Sequence, residues 1–214
     1  MSILKSESPK FVTPALTKIS RHKDPFKVLI SCILSLRTKD EVTAEASRRL
    51  YALAKTPEEM LNLSVRQIAK AIYPVGFYKT KSRRIKEICK RLINEFDSHV
   101  PDDFDILLTF KGVGRKTANI VMIYGFNRSG YLAIDTHCNR IPNRLGWIKT
   151  KTPEKTEEEL KKILPKRYWK DFNNLFVQFG QNICRPVGPK CNICPINMYC
   201  KYYKEVYLPS KKAV

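Results

Sequence analysis

The chain has 214 residues, 43% of them hydrophobic, enough for one large domain or two small ones with a real core. Forty Lys and Arg stand against twenty Asp and Glu, a formal charge of +20 that favours a polyanion such as nucleic acid over a basic protein with no such partner. No apolar run reaches spanning length and no signal peptide is read, so a membrane span is excluded; seven cysteines in such a chain argue against a disulfide framework.

In chain order the pattern is helical nearly throughout. The first ten residues, MSILKSESPK, are expected to be short, polar and partly mobile. Residues 25–36 are too apolar for a surface helix and predict a buried one. Thr38 and Asp40 are positioned to cap the next helix, which runs to about residue 50. Thr56-Pro-Glu-Glu reads as a capping box with proline at the first helical position, and Ser64 as the cap of another short helix. Residues 73–76 break the pattern, and residues 78–96 resume it with Ile85, Ile88, Leu92 and Ile93 on one face. A helix opened by Pro101-Asp-Asp, a turn at residues 111–114 and a helix over about 115–124 form a hairpin. Helices follow at about 136–145, 154–163 and 168–183, and then Pro186, Pro189 and Pro195 make the chain irregular. The charged stretch 149–166 reads as a solvated helix face. No strand and no internal repeat is predicted.

Three constellations carry chemistry. The first is the hairpin turn, FKGVGRKTA over residues 110–118. Gly112 and Gly114 flank Val113, which lets the backbone take positive φ and come close to another chain. The helix that begins at Arg115 presents unpaired N–H groups and a positive dipole end, suited to a DNA phosphate. The second is a lysine and an aspartate. Lys116 sits in the first turn of that helix, the wrong end of the dipole for a cation, and a neutral lysine amine is a nucleophile able to form a Schiff base with a sugar carbon. Nineteen residues on, Asp135 is placed to take a proton or to stabilise positive charge on a sugar ring. The alternatives are a phosphate contact for Lys116 and a helix N-cap for Asp135.

The third is C-x6-C-x2-C-x5-C, formed by Cys184, Cys191, Cys194 and Cys200. Helical core spacing is three or four residues, so these thiols are not a core stripe and are read as ligands of one metal centre. Spacing alone leaves iron–sulfur and zinc both open. Cys32 and Cys89 fall in apolar helical patterns and are read as small core residues, with Cys138 scattered apart from them.

Together, residues 108–121, residues 133–137 (AIDTH) and the cysteine pattern closely resemble the endonuclease III family of DNA glycosylase/AP lyases, over about residues 25–201. The resemblance implies an all-α, two-lobed helix–hairpin–helix glycosylase fold with a C-terminal iron–sulfur loop and duplex DNA bound between the lobes. Residues 22–133 would form a helical barrel holding the hairpin at about 103–125. Residues 1–21 and 134–214 would form the lobe with a 4Fe–4S cluster on the four cysteines. Lys116 falls on the family's catalytic lysine and Asp135 on its catalytic aspartate. Together they imply excision of oxidised pyrimidines and cleavage 3′ to the abasic site by β-elimination. A flipped nucleotide is expected, since the target is inaccessible in stacked duplex. Phe77 aligns with a wedging residue, its alternative being core packing. Arg37 aligns where the bacterial enzyme has a gap-filling glutamine, its alternative being a surface cation. Gly112, Val113, Gly114 and Arg115 are the expected DNA contacts of the hairpin. A monomer acting in the cytoplasm or nucleoid, or the nucleus of a eukaryote, is expected. The alternative functions are a uracil or mismatched-thymine glycosylase, which Lys116 argues against, and a non-catalytic DNA-binding module.

Overall fold

A computed structural model describes residues 1–11, 14 and 24–212. By backbone contacts the chain divides into two compact units, Pro14–Ser129 and Met1–Thr13 with Gly130–Val214. They are called here the hairpin unit and the cysteine unit. The expected start of the barrel lobe, residue 22, lies outside the described residues. Among the described residues there is no strand.

The hairpin unit is built around α2, Pro25–Ser35. Asp24 caps it by accepting from the Lys27 amide at 3.0 Å, Pro25 opens it, and every residue from Val28 to Leu34 is buried. A helix apolar on all sides must be enclosed. The elements around it are α3 (Asp40–Leu53), α4 (Pro57–Asn62), α5 (Val65–Ile72), α6 (Tyr78–Phe96), α7 (Phe104–Leu108) and α8 (Arg115–Ile120). Helix α8 widens into a π-turn over Val121–Gly125, which packs on α2. Cys32 and Cys89 are buried, and burial raises both thiols to about 12, as the core reading requires.

Two expected caps differ. Lys39, not Thr38, precedes α3, and no side chain caps it; the Thr38 hydroxyl is engaged by another loop instead. Thr56 does accept from the Glu59 amide at 3.2 Å, but Glu59 reaches the Lys55 amide rather than that of Thr56. At Ser64 the full reciprocal box forms, with Gln67 as its partner.

The cysteine unit contains α1 (Ser2–Glu7), α9 (Thr136–Leu145), α10 (Pro153–Ile163), α11 (Trp169–Asn182) and α12 (Leu208–Lys212). Its core is aromatic, with Phe172 and Phe176 stacked at 4.1 Å and Trp169, Leu160, Ile141 and Phe179 around them. The N-terminal segment corrects the expectation of mobility over its first turns. Leu4 is buried in that core, Lys5 pairs with Asp171 at 2.5 Å and the Ser8 hydroxyl donates to Gln178 at 2.5 Å. One buried leucine and two polar ties suffice to dock it. Helix α10 is largely solvated, with Lys155–Glu158 and Lys162–Glu159 pairs, yet Glu157 is buried and bonded to Lys161 at 2.5 Å.

Candidate functional site

In the hairpin, Asp103 starts α7 by accepting from the Ile106 amide at 2.9 Å, and Phe110 anchors its far end in the core. The chain reverses over residues 111–114, where the Val113 amide donates to Phe110 O at 2.9 Å. Gly112 has φ 87°, a left-handed value that favours glycine, and a Cβ there would meet the Arg84 side chain at 3.4 Å. Gly114 is different. No described atom lies within 4 Å of where its Cβ would be, so packing inside the unit does not account for the missing side chain. Val113 is buried, so any contact it makes outward is through its main chain. Arg115 is exposed, with its guanidinium 5.2 Å from the Phe104 ring centre.

Lys116 is half-buried in the first turn of α8, and among the described residues its Nζ joins no hydrogen bond or ion pair. Its charge is felt by Cys32, whose thiol it draws down against the larger effect of burial. One turn further, Asn119 is buried and its Oδ1 accepts no hydrogen bond, an arrangement that needs a reason in a packed interior. Elsewhere in the same unit Arg37 and Phe77 are both exposed, with the guanidinium 5.8 Å from the ring centre. Phe77 is therefore not a core residue of this chain, and Arg37 is not an isolated cation.

In the cysteine unit Asp135 caps α9. Its Oδ1 accepts from the His137 amide at 2.9 Å and the Cys138 amide at 2.8 Å. The cap read from sequence is thus present. It engages one oxygen; among the described residues Oδ2 accepts no hydrogen bond.

The four cysteines line one pocket. Ile141, Leu145, Phe179, Ile183 and Ile196 of the core form part of its wall, and Arg144, Lys190, Asn197 and Tyr202 also line it. Short 3-10 turns span Cys191–Ile193 and Asn197–Tyr199 of the loop. Burial first, then repulsion from neighbouring cysteines, holds the Cys191, Cys194 and Cys200 thiols above their ordinary range, with Cys194 at about 11. A bound cation reverses that balance, because a coordinating thiol is deprotonated. Arg185, Lys190 and Lys201 are exposed on the same loop.

Residues 30–166 match the model of the HhH-GPD superfamily of base excision DNA repair proteins. Endonuclease III of Thermotoga maritima is 46% identical over 184 residues, covering 86% of this chain and 86% of that one. The chain belongs to the endonuclease III family. Endonuclease III-like protein 1 of Mus musculus is 40% identical over 82% of this chain, though the match spans 59% of that longer protein. A solved structure of endonuclease III trapped as a covalent intermediate on DNA matches with a TM-score of 0.79 at 32% identity, covering 85% of each chain.

Two arginines outside the three constellations support the cysteine loop. Arg140 and Arg144, four residues apart on α9, grip the entry to the cysteine loop. Arg140 donates to Cys184 O at 2.8 Å and lies 3.0 Å from His137 Nδ1. Arg144 donates to Arg185 O at 2.7 Å, to Pro186 O at 2.9 Å and to Cys184 Sγ at 3.4 Å. Their sequence signal was only an i, i+4 arginine pair on the face of a helix. Gly180 on α11 makes room for them, because a Cβ there would stand 2.2 Å from His137 Nδ1.

Proposed function

We propose that this endonuclease III family member is a base-excision DNA repair enzyme that removes oxidised pyrimidines from duplex DNA and cuts the strand 3′ to the site. Lys116 is the nucleophile. Its neutral amine attacks C1′ of the flipped nucleotide, the glycosidic bond breaks, and the base leaves with the bonding electrons and a proton. The C1′–O4′ bond then opens, O4′ takes a proton from solvent, and the sugar stays on Lys116 as a protonated iminium ion. Loss of a C2′ proton then expels the 3′ phosphate by β-elimination. Asp135 supplies the carboxylate, with Oδ1 held by the α9 cap and Oδ2 left for the proton or the developing positive charge.

The observation that carries this reading is Lys116. A half-buried lysine in the first turn of the hairpin helix, with no hydrogen bond or ion pair among the described residues, has no evident structural duty there. Gly112, Gly114 and Arg115 bind phosphate beside it, with Val113 contributing its backbone.

The residues at the four-cysteine loop fit a 4Fe–4S cluster held by Cys184, Cys191, Cys194 and Cys200. Their pocket is apolar, and Arg144 directs an N–H at one sulfur. When bound, the cluster supplies a covalent cross-link for the loop. The loop in turn presents Arg185, Lys190 and Lys201 to phosphate.

The test is borohydride trapping on duplexes carrying single lesions. A covalent adduct on thymine glycol duplex is expected. Base release without any trapped adduct would assign a monofunctional glycosylase, and neither would leave a DNA-binding module.

A further inference from the structure

Lys81 is the residue whose placement the proposed chemistry leaves unexplained. It lies in the first turn of α6 and is only 7% exposed. Among the described residues no carboxylate pairs with it. Its Nζ donates to Leu34 O at 2.8 Å, Leu36 O at 2.5 Å and Thr38 Oγ1 at 3.2 Å. Three donors meet three acceptors, all at the C-terminal end of α2 and the loop after it, where the helix dipole is negative. Burial lowers the amine to about 8, still above neutral pH, so the ammonium with its three donors is the form present.

The Thr38 hydroxyl extends the clamp. It donates to Leu36 O at 3.2 Å, and it accepts from the Gly76 amide at 3.2 Å as well as from Lys81. One ammonium and one hydroxyl thus tie the loop at residues 35–38 to the loop at residues 73–77. The two loops meet closely. A Cβ on Gly76 would be 2.5 Å from Arg37 O, so only glycine fits. Both loops end in a strained residue, Arg37 with φ 52° and Phe77 with φ 58°. Left-handed backbone is unfavourable for a non-glycine residue, and two cases on neighbouring loops persist only if the surroundings impose them. The outcome is a phenylalanine 63% exposed with a guanidinium over its ring.

We infer that Lys81 is a positioning residue, clamping the two loops so that Arg37 and Phe77 are presented to DNA as a pre-formed pair. This rests on the proposed function, with Phe77 entering the base stack and Arg37 filling the vacated space. The clamp removes the ordering penalty for two exposed side chains at the moment of base flipping. It therefore matters most when the target base is paired and stacked, and little when the base is already unpaired.

The experiment compares single-turnover base release from two substrates. One is a duplex with thymine glycol opposite adenine; the other holds the same lesion inside a short unpaired bubble. Lys81→Met keeps the length and loses the donors. It should slow release from the paired duplex roughly 10–100-fold and leave the bubble nearly unaffected, the size expected of a small misplacement far from the chemistry. Equal loss on both substrates, or no loss on either, overturns the clamp. If Lys81→Met does not fold, Gly76→Ala carries the same test, since its Cβ displaces Arg37 without touching the ammonium. Phe77→Ala and Arg37→Ala separate the two levels of the argument. If they lose the paired substrate selectively and Lys81→Met does not, the clamp alone fails. If they show no selectivity, the wedge reading and the clamp fall together, while trapping on the bubble still tests the Schiff base.

Discussion

At Asp135 one carboxylate oxygen caps a helix and the other accepts no hydrogen bond among the described residues, and this division makes the cap separable from the proposed catalysis. Asp135→Asn keeps an Oδ1 acceptor for the His137 and Cys138 amides. Stability should change little, since Asn caps about as well as Asp. Base release should fall about 10²–10⁴-fold, the usual effect of losing an acid/base group. Asp135→Ala should lose the same activity and also about 1 kcal/mol of stability with the cap. Thermal melts and single-turnover rates on the two variants check the contrast; a fully active Asn variant would reduce Asp135 to a cap. Lys116 offers the complementary case. Among the described residues its Nζ has no hydrogen bond or ion pair to lose, so Lys116→Gln should melt near the wild type, still bind lesion DNA, and yield no adduct with borohydride. An adduct formed by that variant would place the nucleophile elsewhere.

At the scale of elements, helix boundaries were legible wherever a cap, a proline and an apolar period agreed. Asp24-Pro25 before α2 and Thr152-Pro153 before α10 are such places. The hairpin was legible because its turn demands glycine at Gly112, which has positive φ. The cysteine loop was legible because its spacing fits no regular element. What stayed hidden depends on contacts distant in sequence. Thr38 looked like a cap, but its oxygen is taken by Gly76 and Lys81, thirty-eight and forty-three residues away. The docking of α1 through Leu4, the helix α12 and the arginine grip on Cys184 likewise have no local signature. Gly180 tests that grip. Its hypothetical Cβ lies 2.2 Å from His137 Nδ1 and 3.1 Å from Arg140 Nη2, side chains already bonded to each other. Gly180→Ala should therefore destabilise the protein by about 1–3 kcal/mol, the range for overpacking, despite alanine's better helix propensity. An unchanged melting temperature would show that His137 moves aside freely. For the cysteines, Cys194→Ser should give colourless, poorly folded protein, because ligand loss couples directly to folding. Stoichiometric zinc without iron or sulfide in the wild type would defeat the cluster assignment.

For the molecule as a whole, the +20 charge is the property that no single element holds. The excess is divided evenly between the two units, so neither alone is the basic partner of an acidic one. Much of it is solvent-exposed, including Lys111 and Arg115 at the hairpin and Arg185, Lys190 and Lys201 on the cysteine loop. Charge of this kind raises affinity for any duplex by releasing counterions, and it carries no information about the lesion. Binding and chemistry should therefore respond differently to salt. If the protein neutralises about five phosphates, the logarithm of the binding constant should fall with the logarithm of salt concentration at a slope of about −4 to −5. Damaged and undamaged duplexes should share that slope, because the phosphates contacted are the same. Base release at saturating DNA should be nearly independent of salt, since the proposed roles of Lys116 and Asp135 release no counterions. Titrations between roughly 50 and 200 mM salt, paired with single-turnover rates, measure both quantities. An affinity that stays flat across that range would mean the basic surface does not face the DNA. A rate at saturation that falls as steeply as the affinity would mean that phosphate contacts are made only on the way to the transition state.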